Sequence, residues 1–171
     1  MSNDLHALSV PVFQRGLTNL TALLQKAEAH ATEHKIAAAT LLTARLFPDM
    51  FTLTGQVQTA CDTAKRGVAR LAVVEPPPFP DDENSFEQLY TRIEKTVSFI
   101  TAQPTASFQG AEDRIIEMKM RAGVVTFKGF DYLTRFALPN FYFHVTTAYN
   151  LLRHNGVIVG KMDFLGKLAA P

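Results

Sequence analysis

The stretch DYLTRFALPNFYFHVTTAYNLLRHNG, residues 131–156, decides the fold of this chain. When it is placed on a helix, Phe141, Ala148 and Leu151 share one face, and apolar residues at this spacing are typical of a helix packed in a bundle. His144 lies on the same face. The spacing therefore predicts a long last helix that points a histidine towards the core.

The ends of this helix are also marked in the sequence. Basic residues followed by Gly156 form a strong stop signal, because glycine readily ends a helix in a left-handed conformation. We expect the helix to begin near Asp131, which leaves Pro139 inside it. Because proline lacks a backbone donor, Pro139 is expected to kink the helix by freeing the carbonyl group of Arg135.

Three earlier segments repeat apolar residues at three- and four-residue intervals, and each is predicted to form a helix. The first is expected to have Ser9 as its N-cap and Pro11 in its first turn. The second is expected to start at about Pro48, and the third between residues 82 and 85. The predicted buried stripes are Phe13, Leu17, Leu20, Leu24 and Ala27; Met50, Leu53, Val57, Ala60, Ala64 and Leu71; and Phe86, Leu89, Ile93, Val97 and Ile100.

A short β-hairpin is predicted between the third and last helices, where the apolar period changes from about 3.6 to about 2. Ile116, Met118 and Met120 alternate with charged residues, and a β-branched run follows a turn that contains Gly123. An isolated two-stranded hairpin is marginal in water, so it should lie against the helices. The chain is thus predicted to be an all-α protein, a four-helix bundle with a small hairpin inserted before the last helix, in a single domain over residues 1–171.

Composition excludes several classes of function. The 171 residues carry a net charge of only +1 and no basic cluster, so the electrostatic attraction that nucleic-acid binding needs is missing. No apolar run reaches the length of a membrane span. The single cysteine, Cys61, and an N-terminus without the pattern of a signal peptide lead us to expect a cytoplasmic protein.

The last helix carries three candidate site residues: His144, with Asn140 one turn before it and Thr147 one turn after it. Two histidines four residues apart would indicate a zinc or nickel site, but Asn140 occupies the first of these positions. An amide oxygen is a poor ligand for such metals and a good hydrogen-bond partner for a neutral imidazole. A lone inward histidine is more often a hydrogen-bonded core residue than a metal ligand.

The second helix supplies the candidates on the opposite side of this pocket. Gln56, Gln58 and Asp62 are polar, and the last two are spaced four residues apart. Cys61 falls between them near the apolar face, where a buried thiol usually behaves as a small hydrophobic group rather than as a nucleophile. Gln58, Cys61 and Asp62 therefore complete the candidate pocket with the three residues of the last helix.

Several segments resemble those of a known family. The stretches LPNFYFHVTTAYNLLRHNG (138–156) and GKMDFLG (160–166), with PDMF (48–51) and QVQTACD (56–62), look like those of an uncharacterised bacterial family of DinB-like proteins. The resemblance covers essentially the whole chain. It implies the up-down four-helix bundle of the DinB superfamily, many members of which are assigned as metalloenzymes.

In that superfamily the last helix reads HxxxH, followed about two turns later by LR and a glycine. Setting residues 152–156 on this ending places His144 on the second histidine and Asn140 on the first. The third ligand, a histidine on the second helix, has no counterpart, and Gln58 and Asp62 are the nearest polar substitutes. The resemblance thus implies a degenerate metal site in which His144 is the one matched ligand position.

Three functions are compatible with these residues. The first, which the sequence favours, is an uncharacterised DinB-like bundle protein with no cofactor and no metal-dependent activity, forming a homodimer as DinB-like bundles often do. The second is an enzyme of the transferase or hydrolase type, using a pocket around His144 with a zinc or nickel ion or a thiol cosubstrate. The third is a protein that binds a small apolar ligand between its helices.

Overall fold

Helices form most of the structure, a computed structural model in which residues 4–120 and 123–167 are described. A two-stranded antiparallel hairpin is the one sheet in these residues. None of the described helices is long and apolar enough to cross a bilayer. In chain order the elements are α1 (Leu5–Glu33), α2 (Ala38–Leu42), α3 (Leu53–Ala72), α4 (Phe86–Thr101), a 3-10 turn (Thr105–Phe108), β1 (Ile115–Met120), β2 (Gly123–Lys128), α5 (Gly129–Asp131), a π-helical segment (Tyr132–Ala137), α6 (Leu138–His154) and α7 (Lys161–Leu165).

The long helices α1, α3, α4 and α6 bury a common core. Helix α1 packs against the other three, and α3 packs against α4 and α6. Phe13 of α1 and Phe141 of α6 are fully buried, with their rings edge to face at 5.0 Å. Gly16 permits this approach, because a Cβ atom there would lie 2.5 Å from Cε1 of Phe141. Burying one such large side chain contributes about 1.5–3 kcal/mol.

The apolar stripes predicted for the first three helices are confirmed, except that Met50 and Val97 are only half-buried. The predicted start of the first helix is wrong. Asp4 is the N-cap of α1, and its carboxylate accepts hydrogen bonds from two backbone N–H groups of the first turn. Ser9 lies inside the helix, four residues after its first residue, and its buried hydroxyl donates to the carbonyl of Leu5, so it is not at the position of an N-cap.

The predicted start of the second helix is also wrong. Helix α3 begins at Leu53, and the hydroxyl of Thr52 caps it by accepting from the N–H of Gly55 at 3.2 Å. Pro48 lies in the loop before it, where its carbonyl accepts from Arg45. A side-chain cap satisfies an orphan donor that a proline alone leaves open, which is why Thr52 and not Pro48 sets the boundary. The short α2, which precedes this loop, was not predicted.

The last helical run includes α5 and the π-helical segment as well as α6. Helical residues run without a break from Gly129 to His154, which agrees with the predicted start near Asp131. Pro139 lies inside this run, directly after the π-helical segment. The N–H of Leu138 donates to the carbonyl of Leu133, five residues back. This wider turn is how the helix accommodates a proline without ending.

The predicted hairpin is confirmed and lies against the helices. Its two strands pair with Ile116 opposite Phe127 and with Met118 opposite Val125. Ile116 and Met118 are buried, whereas Met120 at the end of the strand is exposed. The predicted turn at residues 121–122 lies outside the described residues. The hairpin therefore presents one apolar side to α3 and the last helical run, and this contact forms one wall of the candidate site.

Candidate functional site

A cleft of about 500 Å³ opens between α3, the hairpin and the last helical run. Helix α3 provides most of its polar wall, and Tyr132, Phe136 and Asn140 face it from the last helical run. Met118 and Met120 come from the hairpin. A volume of this size is in the range of pockets that bind small molecules, about 300–1,000 Å³.

Half of the predicted site residues line this cleft. Gln58 and Asp62 of α3 and Asn140 of α6 are on its surface. His144, Thr147 and Cys61 are buried elsewhere between the helices and do not reach it. The structure thus divides the predicted pocket into an open part and a closed part.

The closed part is centred on His144, which is 7% exposed. Its Nδ1 lies 2.7 Å from Oε1 of Gln56, and Nε2 of Gln56 donates to the carbonyl of Phe51. The second bond orients the amide, so the oxygen of Gln56 faces the imidazole and Nδ1 must be the protonated ring nitrogen. Burial holds the pKa of His144 below its ordinary value of 6.5, so the ring is neutral at pH 7.

Asn140 is engaged with α3 in a similar way. Its Nδ2 donates to Oγ1 of Thr63 at 2.9 Å. Thr147 makes a bond within its own helix, to the carbonyl of Phe143. Asn140 and His144 are therefore hydrogen-bonded to two different residues of α3, and Thr147 makes its bond within its own helix.

The residues present do not fit the metal centre of the DinB superfamily. Such a centre needs three protein ligands with nitrogen, sulfur or carboxylate donors. Among the described residues no three histidine, cysteine or acidic side chains converge to hold an ion. Around His144, the nearest polar partners are the amide of Gln56 and the Asn140–Thr63 pair, whose groups already bond within the protein.

Cys61 lies in the closed part of the site, away from solvent. Its side chain is fully buried, and burial raises the pKa of the thiol to about 12. A thiol with this pKa is protonated at neutral pH, and only the thiolate is nucleophilic. The expectation that Cys61 fills space as a small hydrophobic group agrees with its burial.

Gln58 and Asp62 belong to an ion-paired network that was not predicted from the sequence. Its centre is Arg92 of α4, whose side chain is 1% exposed and which pairs with Asp62 at 3.0 Å and with Glu83 at 2.9 Å. Gln58 donates to Glu83 at 2.7 Å. Although burial opposes it, hydrogen bonds from Arg92 and Gln58 hold the pKa of the Glu83 carboxyl below its ordinary value. Through Glu83, the network holds the segment between α3 and α4, residues 73–85, against both helices.

One signal for Arg92 was present in the sequence. The residue lies beside the apolar stripe of α4, three positions after Leu89 and directly before Ile93, where a charged side chain is expected to be at least partly buried. A buried guanidinium needs carboxylate partners. Those partners come from α3 and from the connector, so only the packed structure identifies them.

Arg66, Arg70 and Tyr132 are further cleft residues that were not predicted from the sequence. Arg70 donates to the hydroxyl of Tyr132 at 2.9 Å, and its guanidinium lies 5.6 Å from the centre of that ring. Burial raises the pKa of Tyr132, so its hydroxyl is protonated at neutral pH. Arg66 pairs with Asp62 at 3.0 Å and remains largely exposed.

The chain resembles known proteins over nearly all of its length. Residues 5–165 match the family described as "Domain of unknown function (DUF1993)". The structure is similar to the crystal structure of a DinB family member from Shewanella denitrificans, with a TM-score of 0.92 and 42% sequence identity over 98% of this chain and 96% of that chain. No curated protein matches the chain. These similarities establish the family of the chain, and neither of the two matched descriptions names a reaction.

Proposed function

The chain belongs to DUF1993, an uncharacterised DinB-like family, and from that premise we propose that it is a metal-independent protein that binds a small molecule in the cleft beside α3. In this proposal α1, α3, α4 and α6 are the four helices of an up-down bundle. The superfamily's metal position is degenerate, and the protein needs no cofactor. The family assignment itself leaves both binding and catalysis open.

One observation carries the proposal. The two residues at the positions of the superfamily's histidine pair bond to polar side chains of α3: His144 to Gln56 and Asn140 to Thr63. The bond to Gln56 leaves only Nε2 of His144 for an ion, and among the described residues no group of three histidine, cysteine or acidic side chains could hold one. Internal hydrogen bonds thus replace metal coordination as the link between the two helices.

The open cleft supports the binding half of the proposal. It combines polar and charged side chains of α3 with apolar side chains of the hairpin and the last helical run. Pockets that bind small molecules have this mixture of an apolar wall and a few placed polar groups. The sequence allowed a purely apolar ligand, but the polar and charged side chains of α3 in this cleft favour a ligand that also carries a polar group.

We also propose that the protein forms a homodimer in the cytoplasm. Exposed aromatic side chains support the first part: Phe143 of α6 is 56% exposed and Tyr142 is 40% exposed. Contiguous exposed apolar surface is typical of an interface. Light scattering at micromolar concentration is expected to give the mass of two chains, and the mass of one chain would contradict the proposal.

Metal content tests the metal-independent half. Protein purified without chelator from medium supplemented with zinc and nickel is expected to contain far less than one ion per chain by elemental analysis. The matched variant is Asn140→His, which restores two histidines four residues apart and is expected to retain measurable zinc or nickel. A stoichiometric ion in the unmodified protein would contradict the proposal.

A further inference from the structure

The charges around the cleft are not evenly satisfied. Among the described residues, three carboxylates near the cleft share three cations, whereas Arg70 and Lys119, which also line the cleft, have no carboxylate partner within 4.0 Å. A partly buried cation without a counterion is unfavourable unless other groups solvate it. The matched groups are Asp62, Asp81 and Glu83 with Lys65, Arg66 and Arg92.

Arg70 and Tyr132 also have hydrogen-bond donors to spare. One N–H group of Arg70 donates to the hydroxyl oxygen of Tyr132, and its other N–H groups have no acceptor in the described part of the chain. The hydroxyl of Tyr132 accepts this bond, while its own proton has no acceptor there either. Both residues line the cleft. The unused groups are therefore donors that lie together.

Arg66 extends this donor group along α3. It lies one turn before Arg70 on the same side of the helix, and both line the cleft. Only one of its nitrogens is paired, with Asp62. Two arginines one turn apart present the geometry that planar oxyanions favour, since guanidinium groups bind carboxylate and phosphate in a bidentate manner.

The opposite wall of the cleft is largely apolar, with Lys119 of the hairpin as its charged residue. Met118, Met120 and Phe136 line it from the hairpin and the last helical run, and Phe51 lines it near the start of α3. Met120 is 44% exposed and Phe51 is 54% exposed, so both offer apolar surface that a ligand would cover. Methionine side chains adapt to ligands of different shape because their thioether chains are flexible.

We propose that the cleft binds a small organic carboxylate with an apolar body. Arg70 and Arg66 hold the carboxylate, Tyr132 donates its hydroxyl proton to the same group, and the apolar body packs on Met118 and Phe136. The inference rests on the proposed function, because it names the class of molecule that occupies the same cleft. It adds that the ligand must carry a negative charge, and it names the residues that bind this charge.

A matched pair of probes tests the charge requirement. Phenylacetate and phenylacetamide have the same apolar body and differ in the carboxylate, and inorganic phosphate supplies an oxyanion without an apolar body. Binding is measured by NMR titration of the full chain, following resonances of cleft residues. Phenylacetate is expected to bind at least about 10-fold more tightly than phenylacetamide, the usual effect of one charge-assisted hydrogen bond or more.

Variants test the residues that carry the inference. Arg70→Gln is expected to weaken phenylacetate binding by at least about 10-fold and Tyr132→Phe by about 3- to 10-fold, with phenylacetamide binding unchanged in both. The control is Arg135→Gln, because Arg135 is an exposed arginine that lies outside the cleft and pairs with Asp131. It is expected to leave binding of both probes unchanged. Arg70→Lys keeps the charge if Arg70→Gln does not fold, and it is expected to give an intermediate affinity.

The outcomes separate this inference from the proposed function. Equal binding of phenylacetate and phenylacetamide in the cleft would overturn the carboxylate inference and leave small-molecule binding standing. Tighter binding of inorganic phosphate than of phenylacetate would overturn the requirement for an apolar body. If neither organic probe shifts the cleft resonances, the inference and the binding half of the proposed function both fail.

Discussion

The two halves of α3 use their polar side chains differently. In the first half, Gln56 is bonded to His144 of α6, and at the midpoint Thr63 is bonded to Asn140 of the same helix, so these groups have protein partners. In the second half, Arg70 donates to a tyrosine hydroxyl, and among the described residues it has no carboxylate partner and no acceptor for its other N–H groups. Asn140 and His144 thus stabilise the packing of α3 against α6, whereas the donors that lack an acceptor in the described residues lie about two turns further along α3.

The largest expected effect comes from removing Arg92 of α4, the centre of the ion-paired network that joins α3, α4 and the segment between them. Arg92→Ala removes the buried cation that pairs with Glu83, whereas Asp62 keeps Lys65 and Arg66, and we expect a loss of about 3–5 kcal/mol in the free energy of unfolding. Urea denaturation followed by circular dichroism measures this loss. A change below about 1 kcal/mol would mean that the network contributes no more than an ordinary surface ion pair and does not stabilise the packing of α4 against α3.

Gln56→Leu tests the bond to His144 directly. The variant leaves the Nδ1–H group of a buried imidazole without an acceptor, so a loss of about 1–3 kcal/mol in unfolding free energy is expected. A double-mutant cycle with His144→Phe isolates the pair, because removing both partners should cost less than the sum of the single changes. Additive losses would contradict a direct hydrogen bond.

The pH dependence of stability gives a smaller effect. Burial lowers the pKa of His144 in the folded state below its ordinary value of 6.5, so the unfolded chain binds the proton more tightly. Stability should therefore fall as the pH drops through 6.5 towards the pKa of the folded state. We expect His144 to account for less than about 1 kcal/mol, measured as the difference between the wild type and His144→Gln in urea denaturation across this range. Identical pH profiles would argue against a buried neutral imidazole.

Arg70→Gln gives the smallest expected change in stability. The variant removes one hydrogen bond to Tyr132 and no ion pair, so we expect a loss of about 0.5–1 kcal/mol. Urea denaturation beside Arg92→Ala gives the contrast between the two arginines. A loss equal to that of Arg92→Ala would show that the bond between Arg70 and Tyr132 contributes as much to folding stability as the ion-paired network around Arg92.

Local signals predicted much of the fold. The apolar stripes, the alternation in β1 and the glycine that follows the last helix each act within a few residues, and the structure has the corresponding elements. The helix starts at Asp4 and Thr52 were missed because several nearby residues have capping ability and tertiary packing selects among them.

The site was harder to predict because its pairs join distant parts of the chain. Gln56 was named as a polar candidate, but its bond to His144 depends on how α3 packs against α6, 88 residues away in sequence. Arg70 and Tyr132 meet only because the last helical run begins before Pro139. The helical phase placed Asn140 and His144 on the inward face correctly and carried no information about what they would meet.

The protonation state of His144 tests the central claim most directly. Long-range nitrogen–proton NMR at neutral pH is expected to show Nδ1 protonated and Nε2 unprotonated, with the ring signals unchanged by an equimolar amount of zinc. That result would mean that Gln56, and not a metal, fixes this imidazole. A protonated Nε2, or a saturable shift of the ring nitrogens on adding one equivalent of zinc, would contradict the claim.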